Sequence, residues 1–84
     1  MKVIVNITLK PGVLDPQGRA IENSLYSLGY QDVSGVSTGK QITLDLDETD
    51  PARARQKSAK MCEILLVNTV IEDYEITVLD EDDA

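Results

Sequence analysis

The chain contains no histidine, tryptophan or phenylalanine, and Cys62 is its one cysteine in 84 residues. The missing histidine removes the usual general base, the commonest metal ligand and the partner of any Ser-His or Cys-His nucleophile. A lone cysteine makes no internal disulfide, so a cytoplasmic setting is expected. Basic residues are also scarce, with 8 Lys and Arg against 15 Asp and Glu for a net charge of −7. That balance excludes a general binder of nucleic acid or of anionic membranes, which needs a net basic face. No apolar run approaches the length of a transmembrane helix. At the amino terminus, Asn6 and Thr8 interrupt the apolar residues and no small-residue cleavage site follows, so no signal peptide is read there.

What remains has the pattern of one small domain. Hydrophobic residues make up 42% of the chain, too many for a disordered one. The domain is expected over residues 1–79, followed by an acidic, disordered tail at 80–84 that contains Asp80, Glu81, Asp82 and Asp83. A domain of this size buries only about 60% of its unfolded surface, so self-association as a dimer or higher oligomer is expected.

Periodicity places the elements. Val3, Val5, Ile7 and Leu9 alternate with polar positions and predict a first strand. Asp15-Pro16 starts a helix over about Pro16 to Leu28, with Ile21, Leu25 and Leu28 on one face and Gly29 as its stop. Asp32 to Ser37 reads as a weaker strand, with Gly35 at a bulge, and Ser37-Thr38-Gly39-Lys40 as a hairpin turn. Ile42, Leu44 and Leu46 mark a third strand. Asp50-Pro51 starts a second helix to about Leu66, expected to bury Ala54, Met61, Cys62 and Leu65. Val67-Asn68-Thr69 is a connector, and Val70 to Leu79 a last strand with Tyr74, Ile76 and Val78 on one face. The order β-α-β-β-α-β predicts an α+β, ferredoxin-like sandwich: a four-stranded antiparallel sheet with two helices on one face. The opposite face carries Ile4, Thr8, Thr43 and Leu79 among polar residues, and suits either an oligomer surface or a solvated one.

Reactive chemistry is sparse. Cys62 lies on the apolar stripe of the second helix, as a buried structural thiol does. Asp45, Asp47, Glu48 and Asp50 read as a solvated strand end and helix cap, and no metal site is expected. Gly12 and Gly18 fit neither phosphate-loop spacing nor a dinucleotide fingerprint. Arg53, Lys57 and Lys60 lie on one side of the second helix, where a solvated face is favoured over a contact for an acidic partner or a phosphate. One loop stands apart. A helix cap explains Asp15-Pro16 but not Val13, Leu14, Gln17 and Gly18. Glycine in a first turn costs about 1 kcal/mol relative to alanine, so close packing or a shaped contact surface is expected there. A chain without nucleophile, base, metal cluster or nucleotide loop reads as an accessory subunit or binding module.

Three segments carry a resemblance: Gly12-Val13-Leu14-Asp15-Pro16-Gln17-Gly18, Gly39-Lys40, and Cys62-Glu63-Ile64-Leu65-Leu66-Val67-Asn68-Thr69-Val70-Ile71-Glu72-Asp73-Tyr74. Together they resemble the PurS family, the small subunit of phosphoribosylformylglycinamidine synthase, from end to end apart from the acidic tail. Val67 departs from the family pattern, where alanine is expected. The resemblance implies a non-catalytic subunit of a purine-pathway ligase. It joins a glutaminase subunit to a large ATP-dependent synthetase subunit and assists ammonia transfer between them. It also implies a dimer, no cofactor bound by this chain, and a complex that uses ATP and Mg2+. The expected partner-contacting residues are Gly12, Val13, Leu14, Asp15, Gln17, Gly18, Asn68, Thr69, Glu72 and Tyr74. A small-metabolite-binding regulatory module suits the same fold. An acylphosphatase-like enzyme is disfavoured, because the loop Lys10 to Pro16 holds no arginine.

Overall fold

The computed structural model describes residues 1–79, so the acidic tail lies outside the described residues. The elements are β1 (Lys2–Leu9), α1 (Pro16–Ser27), β2 (Gly39–Asp45), α2 (Pro51–Met61), a π turn (Cys62–Leu66) and β3 (Glu72–Leu79). The sheet is antiparallel in the order β2-β1-β3.

Alternation along β1 sets the core. Val3, Val5 and Ile7 are buried on one face of the central strand. Val3 pairs with Leu44 and Val78, Val5 with Ile42 and Ile76, and Ile7 with Lys40 and Tyr74. Each fully buried aliphatic side chain contributes about 1.5–3 kcal/mol, so these rows are the main apolar term of the sheet. α2 covers them with Ala54 and Ser58, and the π turn that follows adds Cys62, one residue per turn. The Ser58 hydroxyl is satisfied inside the core by donating to the Ala54 carbonyl (2.8 Å).

Met61 and Leu65, expected in the core, are exposed instead. For Leu65 the cause is the π turn. The Val67 N–H donates to the Cys62 carbonyl (3.0 Å), five residues back, which widens the last turn and carries Ile64 and Leu65 out to 83% and 81% exposure.

Two further expectations are corrected. Residues 32–37 form no strand, so the described sheet has three strands rather than four. Nor is there a hairpin turn at Ser37 to Lys40, because Gly39 and Lys40 already pair with Thr8 and Ile7. α1 begins and ends as expected. Asp15 caps it, Pro16 takes its first position, and Gly29 (φ +102°) closes it with Tyr30 N–H donating to the Leu25 carbonyl (3.0 Å). However, α1 does not lie on the sheet. The main helix-to-sheet packing joins α2 to β3 and β1, while α1 projects from the end of the sheet. The radius of gyration is therefore 16.4 Å and the long dimension 49 Å, against about 12 Å for the radius of gyration of a compact chain of this length. Ile21 and Leu28 of its apolar stripe are exposed.

The opposite face of the sheet is largely polar, with the Gln41 amide donating to Asn6 (2.9 Å) beside Ile4 and Thr43.

Gly18 explains its own cost. A Cβ built there would sit 2.5 Å from the carbonyl oxygen of Val36 and 2.9 Å from the Asp15 carboxylate. Gly18→Ala is expected to destabilise the fold by about 1–3 kcal/mol by overpacking. Gly35→Ala, whose Cβ would meet only Glu22 at 3.9 Å, is expected to be neutral or stabilising by about 0.4–1 kcal/mol. Urea unfolding of both variants checks the contrast.

Candidate functional site: the junction of arm and sheet

The three segments singled out in the sequence meet at one end of the sheet. β1 leaves it through the turn Lys10-Pro11-Gly12-Val13, in which Val13 N–H donates to the Lys10 carbonyl (3.1 Å). Gly12 has φ +87°, the conformation that the third position of a type II turn demands after proline. Lys10 ties this turn to the segment before β3, its N–H donating to the Ile71 carbonyl (2.8 Å) and its Nζ to the Asp73 carboxylate (2.8 Å). Asn68 shapes that segment. Its side chain accepts from Val70 N–H (3.2 Å) and its carbonyl from Glu72 N–H (2.7 Å), while the Glu72 carboxylate accepts from Asn68 N–H (2.8 Å). Glu72 also faces Lys40 at 3.6 Å. Between these groups lies a shallow pocket of about 240 Å3, lined by Ile7, Leu9, Gln17, Thr38, Lys40 and Glu72 among others.

Asp15 is the centre of this junction. Its carboxylate accepts from Gly18 N–H (2.8 Å), Thr38 N–H (2.7 Å) and the Thr38 hydroxyl (3.0 Å). Donation from Gly18, then from Thr38, holds the Asp15 carboxyl below its ordinary pKa. The first turn of α1 is thus tied to the residue that precedes β2.

The structure sorts the expected contact residues. Gly12, Asp15, Gly18, Asn68 and Glu72 build the junction. Leu14 (70% exposed), Gln17 and Thr69 face outward, and Val13 is half-buried. Tyr74 is half-buried against the core, and desolvation raises its phenol above the ordinary value. Sequence reasoning missed Val36 and Thr38. Thr38 sits in a stretch rich in turn residues, and its bond to Asp15 spans 23 positions.

The other candidate groups have structural work. Glu48 accepts from Lys57 Nζ (2.8 Å) and from the Thr49 and Asp50 N–H groups, with its side chain only 10% exposed. Lys57 first, then Asp50, lowers its pKa from 4.5 to about 2. Asp50 caps α2 through Ala52 N–H (3.0 Å) and lies 4.0 Å from Arg53. Cys62 is buried, and desolvation pushes its thiol up, away from the reactive thiolate. Among the described residues, no three Cys, Asp or Glu side chains gather as a metal site needs, and no helix is long and apolar enough to cross a membrane.

The structure defines a small α+β domain whose junction is built from capping and turn contacts, with exposed side chains around it. Comparison with known proteins makes this particular. Residues 2–80 match the PurS family, described as phosphoribosylformylglycinamidine (FGAM) synthase. The FGAM synthase subunit PurS of Synechocystis is 50% identical over 78 residues, covering 90% of this chain and 78% of the relative. The crystal structure of Methanocaldococcus jannaschii PurS superposes with a TM-score of 0.85 at 42% identity, covering 94% of this chain and 95% of that one. A chain from the structure of PurLQS from Thermotoga maritima superposes with a TM-score of 0.83 at 33% identity, covering 93% and 95%. The chain belongs to the PurS family and is a subunit of FGAM synthase, an enzyme of purine biosynthesis.

Both depressed carboxyls make the fold acid-sensitive. A folded-state pKa below the unfolded one adds stability at neutral pH, and that stability fades as pH falls through the folded value. Thermal melts are expected to drop below about pH 4.5, continuing toward pH 2 as Glu48 protonates. In Asp15→Asn the deficit relative to wild type is expected at neutral pH and shrinks on acidification. A deficit independent of pH contradicts the charge-based role of Asp15.

Proposed function

We propose that this chain is the non-catalytic joining subunit of the FGAM synthase complex. It binds the glutaminase subunit and the ATP-dependent synthetase subunit, and thereby assists the passage of ammonia between their active sites. Holding two sites together converts diffusion through water into a local transfer and keeps ammonia from escaping. The observation that carries this reading is the convergence of the three family segments on one exposed junction with no reactive group in it. Leu14, Gln17 and Thr69 are the outward-facing members of that set and the first candidates for subunit contact. The remaining members, Gly12, Val13, Asp15, Gly18, Asn68, Glu72 and Tyr74, act mainly by shaping it.

The chemistry of the complex resides in the other subunits. Glutamine hydrolysis needs an activated cysteine, and Cys62 is buried with its pKa raised. ATP and Mg2+, which the complex uses, do not fit the described residues. The N-termini of α1 and α2 are occupied by the Asp15 and Asp50 carboxylates, which oppose a phosphate. Glu48 is paired with Lys57. The protein works as a dimer or higher oligomer, because the chain alone leaves α1 without a surface to cover its apolar stripe, and its lone cysteine suits a cytoplasmic setting. A metabolite-binding module is less well supported, since the junction pocket is smaller than most ligand sites and has Lys40 and Glu72 opposite each other across its wall.

Reconstitution tests the reading. Glutaminase and synthetase subunits are expected to make product from glutamine only when this chain is added. Leu14→Glu is expected to weaken that rescue at least 10-fold while leaving the thermal melt unchanged, because Leu14 is exposed in the isolated chain. Equal product formation without this chain contradicts the proposal.

A further inference from the structure

We propose that the outer face of α2 docks an acidic segment of another subunit of the synthase, with Arg53, Lys57 and Lys60 supplying the charge. This rests on the joining role proposed above and names a surface that carries it.

Positive charge is concentrated on one element. Four of the eight basic residues, Arg53, Arg55, Lys57 and Lys60, lie on α2, which holds no Asp or Glu, in a chain of net charge −7. Two of the four have structural work. Arg55 donates to the Ile76 carbonyl (2.9 Å), and Lys57 donates to Glu48 (2.8 Å). The other two have little. Arg53 approaches Asp50 only at 4.0 Å, with its side chain 71% exposed. Lys60 is exposed and takes part in none of the ion pairs among the described residues. Arg53 also sits in the first turn of α2, where the helix dipole disfavours a cation. The stability of the helix gives no reason for a cation there.

Positions 53, 57 and 60 share one side of the helix, so the three cations form a stripe about 10 Å long. With Glu48, Gln56 and Ala59 they line an open groove of about 770 Å3. The bond to Glu48 fixes the middle cation, and the outer two are left for a partner.

The acidic tail of the same chain is too short to cover this stripe. Asp45, Lys2 and Leu79 share one end of the sheet, and α2 starts from that end and runs antiparallel to β3. Arg55 on Ile76 fixes their register. Leu79 lies about 10 Å beyond Ile76 in one direction, and Lys60 about 7.5 Å beyond Arg55 in the other. That leaves about 17 Å to bridge, whereas the four residues Asp80 to Asp83 reach at most about 14 Å. A second copy presenting the same face meets like charge. A single phosphate is opposed by the Asp50 and Glu48 carboxylates beside the stripe, and it is too small to span it. A protein helix with carboxylates repeated every three or four residues matches the stripe in both length and sign.

Binding of the full chain to the glutaminase subunit and to the synthetase subunit, each measured separately by biolayer interferometry, tests the surface. Binding to one of them is expected to weaken at least 10-fold between about 50 and about 300 mM sodium chloride, as screening predicts. The double variant Arg53→Glu/Lys60→Glu is expected to weaken it at least 10-fold at the lower salt, with an unchanged thermal melt. Arg53→Lys/Lys60→Arg is expected to bind as wild type does. A wild-type chain that binds neither subunit overturns both the joining role and this surface. Wild-type binding that is indifferent to the charge reversal, or to salt, overturns the surface alone. Loss of the charge-reversal effect on deleting residues 80–84 assigns the face to the chain's own tail and overturns the proposal. A halved mass of the charge-reversed variant in light scattering assigns it to a second copy, with the same consequence. Displacement by inorganic phosphate beyond that by sodium chloride of equal ionic strength assigns it to a small anion and also overturns the proposal.

Discussion

The Asp15 carboxylate accepts hydrogen bonds from Gly18, in the first turn of α1, and from Thr38, on the threshold of β2. The course of the whole chain depends on that double attachment. A capping residue ordinarily satisfies only its own helix. Here it also binds backbone 23 positions away, so the helix and the returning segment leave the sheet as one limb. Gly18 is the steric counterpart, since any side chain there would collide with the Val36 carbonyl. Electrostatics and packing act on the same few atoms, and the depressed Asp15 pKa is the electrostatic signature of that contact.

Much of this was legible in the residues, and the failures are informative. Strict alternation identified β1, β2 and β3, and Asp-Pro identified both helix starts, because these signals depend on neighbours within a few positions. The surplus specification of residues 12–18 was also visible, as a glycine with no local justification. Its cause was not, because Val36 and Thr38 meet it only through the fold. The predicted strand at 32–37 and the turn at 37–40 failed for the same reason. Both have suitable local residues, but pairing of Gly39 with Thr8 and capture of Thr38 by Asp15 outweigh them. An ideal helical period places Leu65 in the core, and the π turn breaks that period.

The junction of arm and sheet is tied by local turns and one ion pair. Its segments are used to hold shape: a type II turn at Gly12, an Asn68 turn before β3, and the Lys10–Asp73 bridge between them. What they present outward is Leu14, Gln17 and Thr69. A surface fixed by backbone hydrogen bonds loses little entropy on binding, which suits a subunit of a multi-subunit enzyme. The carboxylates of Asp15 and Glu48 are taken up by hydrogen bonds and an ion pair that hold the fold.

The central claim is that the arm stands away from its own sheet. Spin labels at Ser27 and Asp45 of the same chain, diluted among unlabelled copies, measure this directly. An arm held out by Asp15 places the labels a large fraction of the 49 Å long dimension apart. An arm folded back over its own sheet brings the end of α1 beside the end of β2, at a separation on the order of 10 Å, that of two packed layers. The long distance is predicted, and the short one contradicts the role assigned to Asp15.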